Sequence, residues 1–370
     1  MKEITAESVL SLYYGSLFTA CGGGEYSEHL PTIVERHLTE HGPVKLISLQ
    51  EAPEDGQYIS VGVMGSRLEA SLQTGKEGLE VLRRLREKLD SHFEALFSIE
   101  LSSLNVLFPI LVAALAEMPI VDGDCMGRAF PEFQMTTAQA MNEKVVPMSI
   151  LTAGGNYYHF ENIENLIFEA KAREIVSHEE GIAYFAGFPL RGEKLRRILL
   201  PGTMSFVGAV GDCFIAPDSY SNLTEALTDV TKNSMYGRSI ELFIGTVENI
   251  EVSREGGRTW SRITVKGSGD YRKSTFLILA QNECLLAYRD NSISAMVPDL
   301  ITLIDLQNLK PLSLSALHRN IMIAVHGVPA PVRLKSSDML QVLGPACFGY
   351  NEEYLPLEGI HYSRFFPEDG

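Results

Sequence analysis

The sequence predicts an α/β protein in which an N-terminal α/β layered domain precedes a β-rich α+β C-terminal domain. Three observations support this prediction. The 370 residues exceed the length at which a single hydrophobic core usually divides, so two domains are expected. Amphipathic helices alternate with short apolar strands in the first half of the chain. Short apolar segments bounded by turn residues dominate after Gly237.

The first half of the chain shows the helix and strand alternation most clearly. Val9, Leu12, Tyr13 and Leu17 form the apolar stripe of an amphipathic helix over residues 6–18. Further helices are predicted over 29–42, 75–90 and 103–117, and strands over 43–49, 57–65, 95–101 and 119–124. We therefore predict an N-terminal α/β domain over residues 1–165, which carries both a glycine-rich loop and an Asp-Gly-Asp motif.

The second half begins helical and then becomes mostly β. A helical pattern over 162–181 leads through more helix-like sequence toward residue 235. Two alternating segments then flank Glu255-Gly256-Gly257, which is typical of a β-hairpin. Later short apolar segments continue the strand pattern. These features predict a C-terminal domain over residues 166–370.

Composition narrows the classes of function. The net charge of −16 disfavours binding to a phosphate backbone, so no nucleic-acid partner is expected. The five cysteines are scattered, as in a reducing compartment, and carboxylates interrupt the region where a signal peptide would be apolar. The longest apolar run, over 106–116, is too short to span a bilayer. We expect a cytoplasmic protein without a membrane partner.

The segment PIVDGDCMGRAFPEFQMTT, over residues 119–137, holds the most suggestive charges. Side chains alternate along an extended chain, so Asp122 and Asp124 should face the same side at the carboxyl end of a strand. They could share a proton, bind a divalent cation or provide a general base. Arg128 could pair with one of them or hold a substrate, and Glu132 could simply cap a helix. A tight turn without function is the alternative.

Gly22 to Gly24 follow a predicted helix, whereas phosphate-binding loops follow a strand. Their amides could approach a ligand closely, and a Cys21 thiolate would be favoured beside them. A helix C-terminus and a buried cysteine are the alternatives. Asn282 and Glu283 interrupt an apolar β segment, which indicates either a site or a solvent face.

The nine histidines form no recognised metal-binding motif. His37 and His41 lie on one helix face, but they lack the intervening glutamate of a zinc-protease helix. We interpret them as surface histidines.

Four stretches in order resemble the S-methyl thiohydantoin desulfurase-like family: TACGGGEY, PIVDGDCMGRAFPEFQMTT, VPDLITLIDL and LGPACFGYNEEYLPLE. The resemblance spans nearly the whole chain. It implies an N-terminal α/β domain, a separate C-terminal domain, and association with hydantoinase and oxoprolinase proteins, which hydrolyse five-membered cyclic amides. The residues that it implicates are Gly22, Gly23, Gly24, Asp122, Asp124, Gly127, Arg128, Glu132, Asn282 and Glu283.

These observations favour a hydrolase-like enzyme for a small cyclic amide or thio-substituted hydantoin. Asp122 or Asp124 would activate water, with Glu132 assigned to the same catalytic group. Arg128 would orient the substrate, and the glycine segment beside Cys21 would hold a ring carbonyl. A divalent metal bound by the two aspartates is left open. The alternative is a non-catalytic binding protein or an accessory subunit of a hydantoinase or oxoprolinase. We also expect a homo-oligomer that takes a small-molecule substrate.

Overall fold

The structure is a computed structural model that describes residues 2–24, 27, 29–65, 74–179, 181–255 and 258–366. These residues form two compact units. The first unit comprises Met1–Ser16, Ser27–Gly127 and Glu132–Gly208, and the second comprises Leu17–Tyr26, Arg128–Pro131 and Ala209–Gly370. The predicted fold class is confirmed: the first unit is α/β and the second is rich in β-structure.

The first unit contains a mixed eight-stranded sheet in the order β1-β2-β5-β4-β3-β9-β7-β8, and a separate two-stranded sheet of β6 and β10. The strands are β1 Glu3–Ile4, β2 Val44–Ile47, β3 Gln57–Gly65, β4 Ala95–Phe97, β5 Ile120–Val121, β6 Gly123–Asp124, β7 Met148–Thr152, β8 Tyr157–Phe160, β9 Ile182–Arg191 and β10 Leu200–Pro201. Strands β2, β5, β4 and β3 are parallel to their neighbours in that run. Their carboxyl ends therefore lie at one edge of the sheet.

The helices of the first unit are α1 Val9–Thr19, α2 His29–His41, α3 Lys76–Leu89, α4 Ser103–Ala116, α5 Thr137–Ala140, α6 Asn165–His178, α7 Gly192–Ile198 and α8 Thr203–Asp212, of which α1 and α8 end in the second unit. Helix α4 is apolar on nearly all sides, and it is almost entirely buried. It packs closely on β3 because Gly62 has no side chain. A Cβ at Gly62 would lie 2.5 Å from Oδ1 of Asn105.

The second unit is built on an antiparallel eight-stranded sheet in the order β15-β14-β13-β12-β11-β18-β16-β17. Its elements are α9 Tyr220–Lys232, β11 Ile240–Glu255, β12 Arg258–Gly267, β13 Thr275–Gln281, β14 Glu283–Arg289, β15 Ser292–Met296, β16 Leu300–Asp305, β17 Lys310–Leu312, β18 Met322–Val328, α10 Ser337–Leu343, α11 Leu357–Ile360 and α12 Tyr362–Phe365. Strands β11 and β12 pair along most of their length, as the hairpin pattern predicts. Gly256 and Gly257, where the sequence predicts the turn, lie outside the described residues.

The domain boundary at residue 165 stays a prediction, and the compact units, which are not contiguous in sequence, divide the chain differently in two respects. Residues 166–208 belong to the first unit because β9 lies between β3 and β7 and pairs with both. The glycine segment and Arg128 belong to the second unit. Both differences arise from pairings between residues far apart in sequence, which local patterns do not encode. Within the described ranges, every helix is too short or too polar to cross a lipid bilayer.

Candidate functional site

Asp124 is a fully buried carboxylate at the sheet edge where the parallel strands end. Its Oδ2 accepts hydrogen bonds from the backbone amides of Met126 at 2.8 Å and Gly127 at 2.7 Å. Gly127 adopts a φ of +71°, a left-handed conformation that favours glycine and turns its amide back toward the carboxylate. Oδ1 of Asp124 has no hydrogen-bond partner among the described residues. One carboxylate oxygen is thus fixed by the loop, and the other is a buried acceptor beside Thr203.

The environment raises the pKa of Asp124 to about 7. Burial is the main cause, because removal from water disfavours the charged form. Hydrogen bonds from the amides of Met126 and Gly127 lower the pKa of Asp124, and the negative charge of Glu100 raises it further. A carboxyl group that exchanges its proton near neutral pH is suited to general acid–base chemistry.

The loop after β4 lies beside Asp124. The amide of Cys125 donates to the carbonyl of Ile99 at 3.1 Å, which joins the loops that follow β4 and β5. Glu100 in the same loop is held by Asn105, whose Nδ2 donates to Oε1 of Glu100 at 2.8 Å. The side-chain oxygen of Asn105 also accepts from the amide of Val63, at 2.8 Å. Helix α4 therefore fixes Glu100 near Asp124.

Two buried threonine hydroxyls belong to the same region. Thr203 begins α8 and lies near enough to Asp124 to favour its charged form, yet its hydroxyl is outside hydrogen-bonding geometry. Thr136 precedes Thr137, whose amide donates to the carbonyl of Cys125 at 2.9 Å. Neither Thr136 nor Thr203 has a hydrogen-bond partner for its hydroxyl in the described part of the chain. Like Oδ1 of Asp124, these hydroxyls are buried polar groups without a hydrogen-bond partner among the described residues.

Asp122 has a different environment from Asp124. The chain bends at Asp122, and the following β6 pairs with β10 outside the main sheet. Oδ1 of Asp122 accepts from the amide of Ser205 at 3.0 Å, and Oδ2 accepts from the Ser205 hydroxyl at 2.6 Å. These bonds satisfy backbone and side-chain donors in the first turn of α8. The structure therefore gives Asp122 a capping role.

The two aspartates belong to no group of three or more metal-capable side chains within the described ranges. Both oxygens of Asp122 are hydrogen-bonded to Ser205, and one oxygen of Asp124 is held by amides. The protein ligands of calcium and magnesium are mainly carboxylate and carbonyl oxygens, and the two aspartates leave one carboxylate oxygen without a hydrogen bond. The geometry therefore offers little support for a cation bound between Asp122 and Asp124.

Glu132 is half-buried and accepts a hydrogen bond from the side-chain amide of Gln134. The predicted helix start at this position is not observed, because the next helix begins at Thr137. Instead, the carbonyl of Glu132 accepts from the amide of Met135 at 3.0 Å in a turn. No hydrogen bond that the structure describes joins Glu132 to Asp124.

Arg128 is fully buried in the second unit, where backbone carbonyls surround its guanidinium group. Nη1 donates to the carbonyl of Asp299 at 2.9 Å, and Nη2 donates to that of Cys284 at 2.8 Å. Nε donates to the carbonyl of Ala129 at 3.2 Å, and the group lies 5.1 Å from the centroid of the Phe130 ring. These contacts tie residues 128–131 to the strands of the second unit. Arg128 therefore has a structural role, in which its guanidinium group holds three backbone carbonyls.

The glycine segment lies in the same part of the second unit. It follows α1 directly, and the amide of Gly23 donates to the carbonyl of Ala20 at 2.9 Å, which makes it a helix C-terminal turn. The carbonyl of Gly22 accepts from the amide of Leu314 at 2.8 Å. Gly24 is exposed, with a φ of +77°. Burial raises the pKa of Cys21, which favours the thiol over the thiolate, although the Arg128 charge opposes the shift.

Asn282 and Glu283 form the turn between β13 and β14. Asn282 has a φ of +60°, and its Oδ1 accepts from the amide of Thr259 at 2.9 Å, so its side chain stabilises the turn. Glu283 is buried beside the glycine segment: a Cβ at Gly23 would lie 2.6 Å from Oε1 of Glu283. The structure thus brings Glu283, Arg128 and the glycines together, in a unit other than that of Asp124.

Glu100, Thr136 and Thr203 are the parts of the candidate site that the sequence did not indicate. Glu100 follows a short strand and Thr203 begins a helix, and such positions are usual for capping residues. The one available signal was the parallel arrangement of β4 and β5, which predicts that polar residues after these strands will meet. His37 also differs from its interpretation as a surface residue, since it is buried.

Comparisons with known proteins agree with the fold. A crystal structure of a protein from Chromobacterium violaceum matches with a TM-score of 0.79 and 22% sequence identity, over 96% of this chain and 100% of that chain. At this identity the similarity shows the fold alone. A search of curated proteins finds no match.

Two family models together span most of the chain. Residues 7–162 match the model described as "S-Me-THD-like, N-terminal domain". Residues 163–357 match the model described as "S-Me-THD-like, C-terminal domain". The resemblance inferred from the sequence motifs is therefore confirmed, and the chain belongs to the S-Me-THD-like family.

Proposed function

We propose that this protein is a hydrolase for small cyclic amides or thio-substituted hydantoins, with Asp124 as its general base. The observation that supports this proposal most strongly is the state of the Asp124 carboxyl group. It is buried, it has a pKa of about 7, and its Oδ1 has no partner among the described residues. The family description supports the thiohydantoin class of substrate in this proposal.

The proposed reaction requires no oxidant or reductant. The carboxylate of Asp124 removes a proton from water, and the water oxygen forms a bond to the ring carbon that carries sulfur. The carbon–sulfur bond then breaks, and the leaving thiolate takes the proton back from the carboxyl group. A hydantoin and a thiol are the products. With a cyclic amide, the same base would instead direct water at a ring carbonyl. The carbon–nitrogen bond then breaks, and the leaving nitrogen takes the proton back from the carboxyl group as the ring opens.

The threonine hydroxyls support charge stabilisation in this reaction. Thr203 and Thr136 are buried, and their hydroxyls are not bonded to other described groups. A hydroxyl that donates a hydrogen bond to the developing negative charge stabilises that charge more strongly in a water-poor site than it would in water. Thr203 also begins α8, whose N-terminal end carries a partial positive charge.

The accessory-protein alternative is favoured by a separate observation. Arg128, Asn282 and the glycine segment are all occupied by internal hydrogen bonds, so several residues expected to contact substrate are used structurally. A protein that binds the ring without converting it, or that assists a hydantoinase or oxoprolinase, needs fewer free groups. The experiment must therefore separate binding from turnover.

We would incubate the purified full-length chain with hydantoin, 5-oxoproline, 2-thiohydantoin and its S-methyl derivative, with and without a chelator. Ring absorbance and released thiol would be measured. Asp124→Asn should lower the rate by about 10² to 10⁴, the usual contribution of a general acid or base. Asp122→Asn is the matched control, and it should retain activity at a temperature where it is folded.

Three outcomes distinguish the alternatives. Turnover that Asp124→Asn abolishes supports the proposed hydrolase. Binding of a ring compound by calorimetry, without turnover, supports the accessory role and contradicts catalysis for this panel. Turnover that Asp124→Asn leaves unchanged contradicts the assignment of the base.

A further inference from the structure

We propose that His37, Glu40 and His41 form a binding site for a divalent transition metal at the C-terminal end of α2. Each of the three side chains offers one ligand atom, and these atoms all lie within 4.8 Å of one another. The site is separate from the Asp124 region and does not depend on the proposed hydrolase function.

The helix supplies the arrangement of the ligands. Glu40 and His41 follow His37 by three and four residues, so all three side chains lie on one face of α2. The His37 and His41 rings are nearly parallel, with an interplanar angle of 9° and centroids 5.9 Å apart. Zinc–nitrogen bonds near 2.1 Å place tetrahedral ligand atoms about 3.4 Å apart. Rotation of the side chains can bring the ligand atoms from within 4.8 Å of one another to about 3.4 Å without movement of the helix.

Burial and charge favour a cation at this position. His37 is buried and held against the protein, whereas Glu40 and His41 are exposed, so a metal can enter from solvent. The last turn of a helix carries a partial negative charge, which attracts cations. Helix α2 ends here, where the amide of Gly42 donates to the carbonyl of Leu38 at 2.9 Å. The net charge of −16 acts in the same direction.

The donor set selects the class of metal. Two imidazoles and one carboxylate suit zinc, nickel or copper, whereas magnesium and calcium prefer sites built from oxygen alone. Three protein ligands leave at least one position for water. A bound ion would link successive turns of α2 and stabilise the folded chain, and this stabilisation would grow with the logarithm of the metal concentration above the dissociation constant.

The test uses the full-length chain without a histidine tag. Isothermal titration with Zn²⁺ and Ni²⁺ should show one site per chain, and Zn²⁺ should raise the melting temperature. His41→Ala should weaken binding by at least about tenfold, and Glu40→Gln should weaken it by a smaller factor. Both residues are exposed, so neither substitution should prevent folding. Mg²⁺ in place of Zn²⁺ should give no heat of binding.

The control is His29→Ala, which removes an exposed histidine from the first position of the same helix. It should bind Zn²⁺ like the unmodified chain. The proposal is overturned if the unmodified chain does not bind Zn²⁺ or Ni²⁺, or if His41→Ala binds as tightly as His29→Ala. The assay does not measure hydrolysis, so a failure of the proposed function would not affect its outcome.

Discussion

The backbone amide of Gly127 donates a 2.7 Å hydrogen bond to Oδ2 of Asp124. This bond, with its companion from Met126, fixes the carboxylate in a loop that only a left-handed residue at 127 can form. Two amide donors favour the charged carboxylate, yet burial prevails and raises the pKa of Asp124 to about 7. The loop therefore holds a rigid carboxyl group that changes charge near neutral pH.

The first prediction concerns the pH dependence of the rate. If Asp124 is the base, only its carboxylate form is active, so kcat/KM should rise with pH and level off above about 7. Initial rates in buffers of constant ionic strength would measure this profile. The rising limb should disappear from the residual activity of Asp124→Asn. A rate that falls through this range would contradict the role as base and indicate a general acid.

The second prediction concerns the pH dependence of stability. Burial raises the folded-state pKa of Asp124 to about 7 and that of Asp299 to about 6, above the usual unfolded value of about 4. The folded chain therefore binds these protons more tightly than the unfolded chain. Their stabilising contribution is complete below about pH 4 and is lost as the pH rises through about 6 and 7.

Urea unfolding at several pH values would measure this effect. Asp124→Asn should flatten the decline of unfolding free energy between about pH 4 and 7, because asparagine does not titrate. Asp338→Asn, at an exposed position on α10, is the control and should leave the slope unchanged. An unaltered slope in Asp124→Asn would show that the carboxyl group has an ordinary pKa in the folded chain.

Much of the fold could be predicted from local patterns. The buried run of α4 and the alternating segments of β11 and β12 lie where periodicity places them. Helix α1 is observed at the predicted place, but it is buried on nearly all sides and not along one apolar stripe. The membership of each unit could not be predicted in this way. Strand β9 joins the first unit by pairing with β3, more than one hundred residues earlier in the chain. Such a partnership leaves no periodic signal in either segment.

The candidate site was predicted only in part, and for a similar reason. Asp124 was found because it follows a strand, but its distinction from Asp122 depends on the bend between them and on the pairing of β6 with β10. Glu100 and Thr203 approach Asp124 through the tertiary fold. Arg128 carries a charge that suggests substrate binding, yet its partners are backbone carbonyls, which sequence does not reveal.

The third prediction concerns the glycine segment. Gly22 has a φ of +85°, and a Cβ there would lie 2.9 Å from Cγ of Leu314. Gly22→Ala should therefore suffer both backbone strain, worth about 1 kcal/mol, and steric overlap. Gly155 has the same φ, with no atom within 4 Å of an added Cβ, so Gly155→Ala isolates the strain. Unfolding by urea should show a larger loss for Gly22→Ala, and equal losses would contradict close packing at Leu314.

The fourth prediction concerns Arg128. Lysine keeps the positive charge, but its single ammonium group cannot reach the carbonyls of Cys284, Asp299 and Ala129 together. Each hydrogen bond from a charged donor to a buried carbonyl contributes about 1.5–3 kcal/mol, so the loss of one or two of them in Arg128→Lys should lower the unfolding free energy by about 1.5–6 kcal/mol.

Arg262→Lys is the matched control for this substitution, because Arg262 is exposed on β12 of the same unit. Its effect on the unfolding free energy should stay within about 0.5 kcal/mol. Kinetics on a substrate, measured well below the unfolding temperature, would then test the alternative role in substrate binding. A structural anchor leaves KM unchanged in Arg128→Lys. A raised KM without loss of stability would instead assign the guanidinium group to the substrate, because a buried anchor cannot be weakened without a cost to folding.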